Sequence, residues 1–149
     1  MRTQLRGAPL FSGMDDAEID SLLPCLNARE RSYQKGEIIF LAGDVAEAIG
    51  LVLEGVVHIV KEDFFGNRTI VAHAEAGELF AEAFCCTEDR RLEISAVAAT
   101  ACKILLIDYH HVVTTCPMSC AFHSRLIRNM MRILALGNIQ LNRKIEHTS

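Results

Sequence analysis

No stretch of this chain is apolar for long enough to span a bilayer, and its start, MRTQLRGAPLF, lacks an apolar core of signal-peptide length. Those absences point to the cytosol. They favour thiols over a disulfide framework for the six cysteines, Cys25, Cys85, Cys86, Cys102, Cys116 and Cys120. An excess of positive charge is missing too. Fifteen Lys and Arg stand against 19 Asp and Glu, a net charge of −4, which opposes the field that nucleic-acid binding draws on. The chain alone is not expected to bind DNA. It shows no low-complexity segment, internal repeat or flexible linker, and neither a P-loop nor a Ser-His-Asp arrangement. With 149 residues it is expected to form one domain, burying roughly two-thirds of its unfolded surface.

What is present is a run of glycines at turn spacing: Gly36, Gly43, Gly55, Gly66 and Gly77. Each separates short apolar, β-branched runs where the chain must reverse and a Cβ would resist positive φ. Strands are predicted at Glu37–Phe40, Ile49–Leu53, Val56–Lys61, Arg68–Ala74, Glu93–Ala98 and Lys103–Ile107. That pattern suits a mainly β fold, a small antiparallel roll or barrel from about Ala28 to Asp108. Asp15 and Asp16 are placed to cap a short helix ending near Leu23, before Pro24. In Asp63-Phe64-Phe65-Gly66-Asn67-Arg68 a hairpin tip is predicted, with Gly66-Asn67 as the turn.

After Asp108 the strand pattern stops. A short helix, Tyr109–Thr115, is expected, then one long helix from Met118 to about His147, roughly 45 Å at 1.5 Å per residue. Ile127, Leu134 and Leu141 recur every seven residues, and Met131, Asn138 and Ile145 take the complementary positions, writing a coiled-coil seam. Leu126, Met130, Ile133 and Gly137 form a second stripe. The expected arrangement packs that second stripe on the roll and leaves the seam for an identical partner helix in a homodimer, Asn138 acting as a polar register pin.

From Leu10 onward the chain resembles the effector domain of the Crp/Fnr family of bacterial transcription regulators. The resemblance rests on Phe11-Ser12-Gly13-Met14, Lys35-Gly36-Glu37-Ile38-Ile39-Phe40, Ala42-Gly43-Asp44, Leu53-Glu54-Gly55-Val56-Val57 and Ala76-Gly77-Glu78-Leu79-Phe80-Ala81-Glu82-Ala83, in that order. It implies a double-stranded β-helix (jelly-roll) sensor with a short N-terminal helix and a long C-terminal dimerisation helix. It also implies a helix-turn-helix DNA-binding domain beyond Ser149, so the sequence reads as a sensing half expected to reach DNA only through that missing part.

The resemblance further implies a phosphate-binding cassette, in which a Gly-Glu pair opens a short helix and a downstream Arg, followed by Ser or Thr, clamps the phosphate. Here Ala81-Glu82 takes the Gly-Glu place. Counting back from Ser95-Ala96-Val97-Ala98-Ala99-Thr100, the Arg place falls on Leu92 and the hydroxyl place on Glu93. Losing that charge-assisted bond forfeits about 1.5–3 kcal/mol, and Glu93 adds repulsion toward a phosphate. A loop one residue shorter would instead bring Arg90 or Arg91 to the clamp. In the preferred register the effector site comprises Leu79, Ala81, Glu82, Ala83, Phe84, Leu92, Glu93, Met131 and Leu134, a lining suited to an apolar or aromatic effector other than cyclic AMP.

Competing chemistries are weaker. Cys116, Cys120 and His123 have zinc-ligand character but lack a fourth ligand that spacing brings near, and Cys85-Cys86 are adjacent, which disfavours an unstrained disulfide. His58 and His73 read as strand surface histidines rather than haem ligands. Gly66, His73, Glu75 and Glu78 loosely match the metal-binding stretch of cupin enzymes, whose second histidine motif has no counterpart here. Neither cofactor nor metal is expected, and an enzyme is disfavoured. The alternatives are a free-standing cyclic-nucleotide module and a cupin-like metal-dependent enzyme.

Overall fold

The computed structural model describes residues 5, 7–81, 91–108, 110–111 and 125–136. A single 3-10 turn, Pro9–Phe11, buries Leu10 and Phe11 completely. The first helix, α1 (Asp16–Cys25), begins where its chemistry dictates. The Asp15 carboxylate accepts the Glu18 N–H at 2.9 Å, while the Glu18 carboxylate accepts the Asp15 N–H at 3.3 Å, a reciprocal capping box. Its inner face buries Ile19 and Leu22, and Pro24 sits inside the last turn rather than ending the helix at Leu23.

Eight strands follow among the described residues: β1 (Arg29–Tyr33), β2 (Ile38–Phe40), β3 (Ala48–Glu54), β4 (Val57–Glu62), β5 (Arg68–Ala74), β6 (Leu79–Phe80), β7 (Ser95–Ala98) and β8 (Cys102–Asp108). They form two antiparallel four-stranded sheets, ordered β1-β8-β3-β6 and β2-β7-β4-β5. All six expected strands exist, shifted by a residue or two at their ends, and all five turn glycines adopt positive φ. Gly55 shows why one of them is required. Its φ is +92°, and an added Cβ would meet the Ala101 carbonyl and the Cys102 sulfur.

One place where the two sheets meet is a stack of three residues. Gly50 on β3 pairs with Phe80 on β6, so the Phe80 ring lies where a Gly50 side chain would be. The same ring reaches Phe40 of the other sheet, centroid to centroid 5.5 Å. β3 and β8 are central in their sheet and buried along nearly their whole length, with Ile49, Leu51, Val52, Ile104, Leu105 and Ile107 in a single core.

The hairpin between β4 and β5 corrects the expected turn. Asp63 accepts the N–H groups of Phe65 (2.9 Å) and Asn67 (2.8 Å) on its carboxylate, and the Gly66 N–H donates to the Asp63 carbonyl at 3.1 Å. Phe64 and Phe65 therefore hold the two central positions, and Gly66, with φ +84°, follows them. The carboxylate at Asp63 organises the backbone two residues earlier than Gly66-Asn67 would. Both rings are open to solvent, at 99% and 88% exposure, and lie edge to face at 6.0 Å.

Hydrogen bonding from the Asn67 N–H, reinforced by Phe65, holds the Asp63 carboxyl below its ordinary pKa. Its stabilisation of the tip is thus present above the unfolded-state pKa and is lost as pH falls through the folded one. In an acid titration followed by amide chemical shifts, Phe65 and Asn67 are expected to inflect together, at a lower pH than an unstructured aspartate. Asp63→Ala should abolish both inflections. A midpoint at or above the ordinary carboxylate value would contradict the assignment.

Residues 125–136 form a helix, α2. Leu126 and Met130 are buried, Ile133 and Leu134 are half-buried against the core, and Ile127 and Met131 are exposed. The stripe of Leu126, Met130 and Ile133 thus does pack on the β core. The other parts of the expected long helix, including Gly137, Asn138, Leu141 and Ile145, lie outside the described residues, as does all of Tyr109–Thr115 except 110–111. Among the described residues, no helix is long and apolar enough to cross a membrane.

Candidate effector site

The cassette implied by the sequence is framed on one side by the β3–β6 pairing. Gly77 donates to the Val52 carbonyl at 2.8 Å, and Val52 donates to Glu78 at 3.0 Å, which fixes the chain before β6. The Glu78 carboxylate accepts the Glu75 N–H at 2.9 Å and tightens the turn that leads in. Directly after β6, Ala81 is buried with φ +67°, a left-handed conformation that costs a residue with a Cβ about 1–2 kcal/mol. Glycine is the residue the resemblance implies at this position, and the backbone keeps the glycine-like geometry although the side chain has changed.

Glu82, Ala83, Phe84, Cys85, Cys86 and Arg90 lie outside the described residues. On the return side, the Arg91 guanidinium donates to the Gly43 carbonyl at 2.8 Å, and Arg91 forms an isolated bridge with Val45. Leu92 donates to the Asp44 carbonyl at 2.9 Å and accepts from the Gly43 N–H at 2.8 Å. Its side chain is buried in the core, and Glu93 points to solvent.

Of the other residues expected in the site, Leu79 and Leu134 are half-buried against the same core that takes in Ala81 and Leu92. Met131 is 65% exposed, on the outward side of α2 with Ile127. Cys102 is a buried free thiol donating to the Val56 and Thr100 carbonyls, an inert packing role, and Cys25 is a half-buried free thiol. Among the described residues, no three His, Cys, Asp or Glu side chains converge as a metal set. His73 faces Glu75 at 3.6 Å and pairs across the strands with His58.

Two residues outside the expected site tie α2 to the N-terminal segment. Asn129 is buried, and its amide donates to the carbonyls of Leu10 (2.9 Å) and Ser12 (3.0 Å). The Arg125 guanidinium donates to the Gly13 carbonyl (3.0 Å) and pairs with Glu18 (2.9 Å). A polar residue interrupting the buried stripe of Leu126, Met130 and Ile133 was the available signal for Asn129.

A family model for the cyclic nucleotide-binding domain matches residues 30–116. The cyclic AMP receptor protein of Thermus thermophilus is 32% identical over 117 residues, covering 76% of this chain and 53% of that protein. Glutaminase 1 of Bradyrhizobium diazoefficiens is 30% identical over 145 residues, covering 97% of this chain and 22% of that protein. The chain thus spans about half of the first relative and under a quarter of the second. Among solved structures, the Thermus thermophilus catabolite activator protein superposes with a TM-score of 0.77 at 25% identity, covering 95% of this chain and 63% of that one. The chain belongs to the cyclic nucleotide-binding domain family, as a Crp/Fnr-like member.

Proposed function

We propose that this domain senses a small molecule other than cyclic AMP and relays its binding through paired C-terminal helices to a DNA-binding domain. The observation that carries the reading is Leu92, buried and apolar at the position where the resemblance implies a phosphate-clamping arginine, with the acidic Glu93 beside it. Arg91, the nearest described cation in sequence, reaches the Gly43 carbonyl. In the preferred register an anion entering the cassette therefore meets Leu92 and Glu93 at the clamp positions rather than a guanidinium and a hydroxyl, and an apolar effector fits better. Leu79, Ala81, Glu82, Ala83, Phe84, Leu92, Glu93, Met131 and Leu134 are the proposed effector set, within a jelly-roll sensor.

The relay follows from where α2 packs. Its inner stripe rests on the core, while Ile127 and Met131, one turn apart on the outward side, begin the proposed seam that Leu134, Asn138, Leu141 and Ile145 continue. An effector that packs differently against the core in two states shifts how the paired helices meet, because a ligand moves an equilibrium only by its differential affinity. The match to glutaminase 1 favours a second reading of the output alone: a unit of this kind also forms part of a protein named for an enzyme activity, so the sensed signal would act on an attached catalytic domain.

Calorimetry with cyclic AMP tests the sensing claim. The wild-type chain is expected to give no saturable heat at micromolar nucleotide. The double variant Leu92→Arg/Glu93→Ser should gain at least about tenfold in affinity, the order of one recovered charge-assisted bond. Micromolar binding by the unaltered chain would sink the proposal.

A further inference from the structure

Strand register decides which side chains of the first sheet look inward. Arg29 pairs with Leu106, Leu106 with Gly50, and Gly50 with Phe80, so all four positions share one face. Phe80 meets Phe40 of the opposite sheet, which makes that face the interior one. Arg31 follows Arg29 by two residues and lies on it as well. Two exposed arginines thus lie on that face of β1, and β1 is the edge of its sheet just as β2 is the edge of the other.

Between these edges opens a cleft of about 440 Å³, a size that suits a small organic ligand. Arg29 and Arg31 line it from β1. The segment from β2 to the start of β3 adds Ile38, Leu41 and Val45, which are 48%, 49% and 43% exposed, together with Asp44 and Glu47. Among the described residues, neither arginine forms an ion pair with Asp44, Glu47 or another carboxylate. Charges of both signs therefore face one cleft without meeting, and uncovered apolar surface lies in the same cleft. Asp108 also lines it, but its carboxylate already accepts the His110 N–H at 2.9 Å and faces His111 at 3.4 Å.

We propose that this cleft binds a small zwitterion with an apolar side chain, of the α-amino-acid class. Its carboxylate is received by Arg29 and Arg31, its ammonium by Asp44 and Glu47, and its side chain covers Ile38, Leu41 and Val45. The cleft shares Leu92 with the proposed effector set, but its charged groups, Arg29, Arg31, Asp44 and Glu47, lie outside that set, and the proposal does not depend on the effector reading. It communicates with the cassette through Leu92, which lines the cleft and whose backbone is bonded to Gly43 and Asp44.

The test compares leucine and phenylalanine with isocaproate, which lacks the ammonium, and isoamylamine, which lacks the carboxylate, by calorimetry and thermal shift. Saturable binding of an amino acid is expected, with each analogue weaker by about tenfold or more. In the surface double variant Arg29→Gln/Arg31→Gln, leucine should fall to the level of isoamylamine while thermal stability without ligand is retained. Absence of saturable binding to either amino acid at millimolar concentration, analogues as tight as leucine, or unchanged leucine binding by the double variant would each overturn the site. None of these outcomes bears on cyclic AMP binding, so the two proposals fail separately.

Discussion

Gly50→Val is expected to be the most damaging single substitution in the β core, lowering stability by about 3–5 kcal/mol, a large fraction of what a domain of this size has. Any side chain at Gly50 collides with the Phe80 ring, which is buried and touches Phe40 across the interior. The ring must give way to the new side chain, and its displacement opens a cavity where the two sheets meet. Overpacking and cavity formation then act together. The damage also reaches the candidate site, because Phe80 immediately precedes Ala81, whose left-handed backbone starts the cassette. Urea denaturation is the measurement, with the midpoint expected to drop sharply. A milder pair separates collision from strand propensity: Gly50→Ala should be rescued in part by Phe80→Leu, giving a non-additive double-mutant cycle. Additive behaviour would show that the ring is not what the new side chain meets.

The parts of the fold legible in the sequence are those governed by local rules. Glycines at positive φ, the Asp15 cap and the apolar strands β3, β4 and β8 declare themselves through residue type and period. β1 did not, because Arg29-Glu30-Arg31-Ser32-Tyr33 carries no apolar alternation; it is a strand because β8 offers it a ladder. β6 is two residues long and owes its existence to β3 in the same way. The turn at Asp63 was misplaced by two residues, since a side-chain carboxylate outcompeted the Gly-Asn dipeptide. In the site, counting along the sequence placed Leu92 and Glu93 relative to β7, but did not show that Leu92 is buried while Glu93 is exposed. The cleft at Arg29 and Arg31 follows only from knowing that two distant edge strands lie side by side.

Asn129→Leu is expected to detach α2 from the N-terminal segment while leaving the sheets intact. The substitution keeps the branched shape and heavy-atom count of the side chain while removing its polar groups. What it removes is the only side-chain donor that the described residues supply to the carbonyls of Leu10 and Ser12. Leaving the buried Leu10 acceptor unsatisfied costs about 1–3 kcal/mol, whereas the neighbouring Arg125–Glu18 pair, partly exposed at 44% and 21%, contributes less than about 1 kcal/mol. Asn129 therefore dominates the attachment. The amide is also what makes the contact specific: Leu126 and Met130 beside it would tolerate rotation of the helix, but two carbonyls held at 2.9 and 3.0 Å admit one rotation only. Hydrogen exchange reads this directly. Protection at residues 126–136 should fall in Asn129→Leu while β3 and β8 keep theirs, and Arg125→Ala should produce a smaller change in the same segment. If protection falls equally in the sheets, the helix and the β core are one cooperative unit, and a relay that moves α2 independently of the core would have to be abandoned.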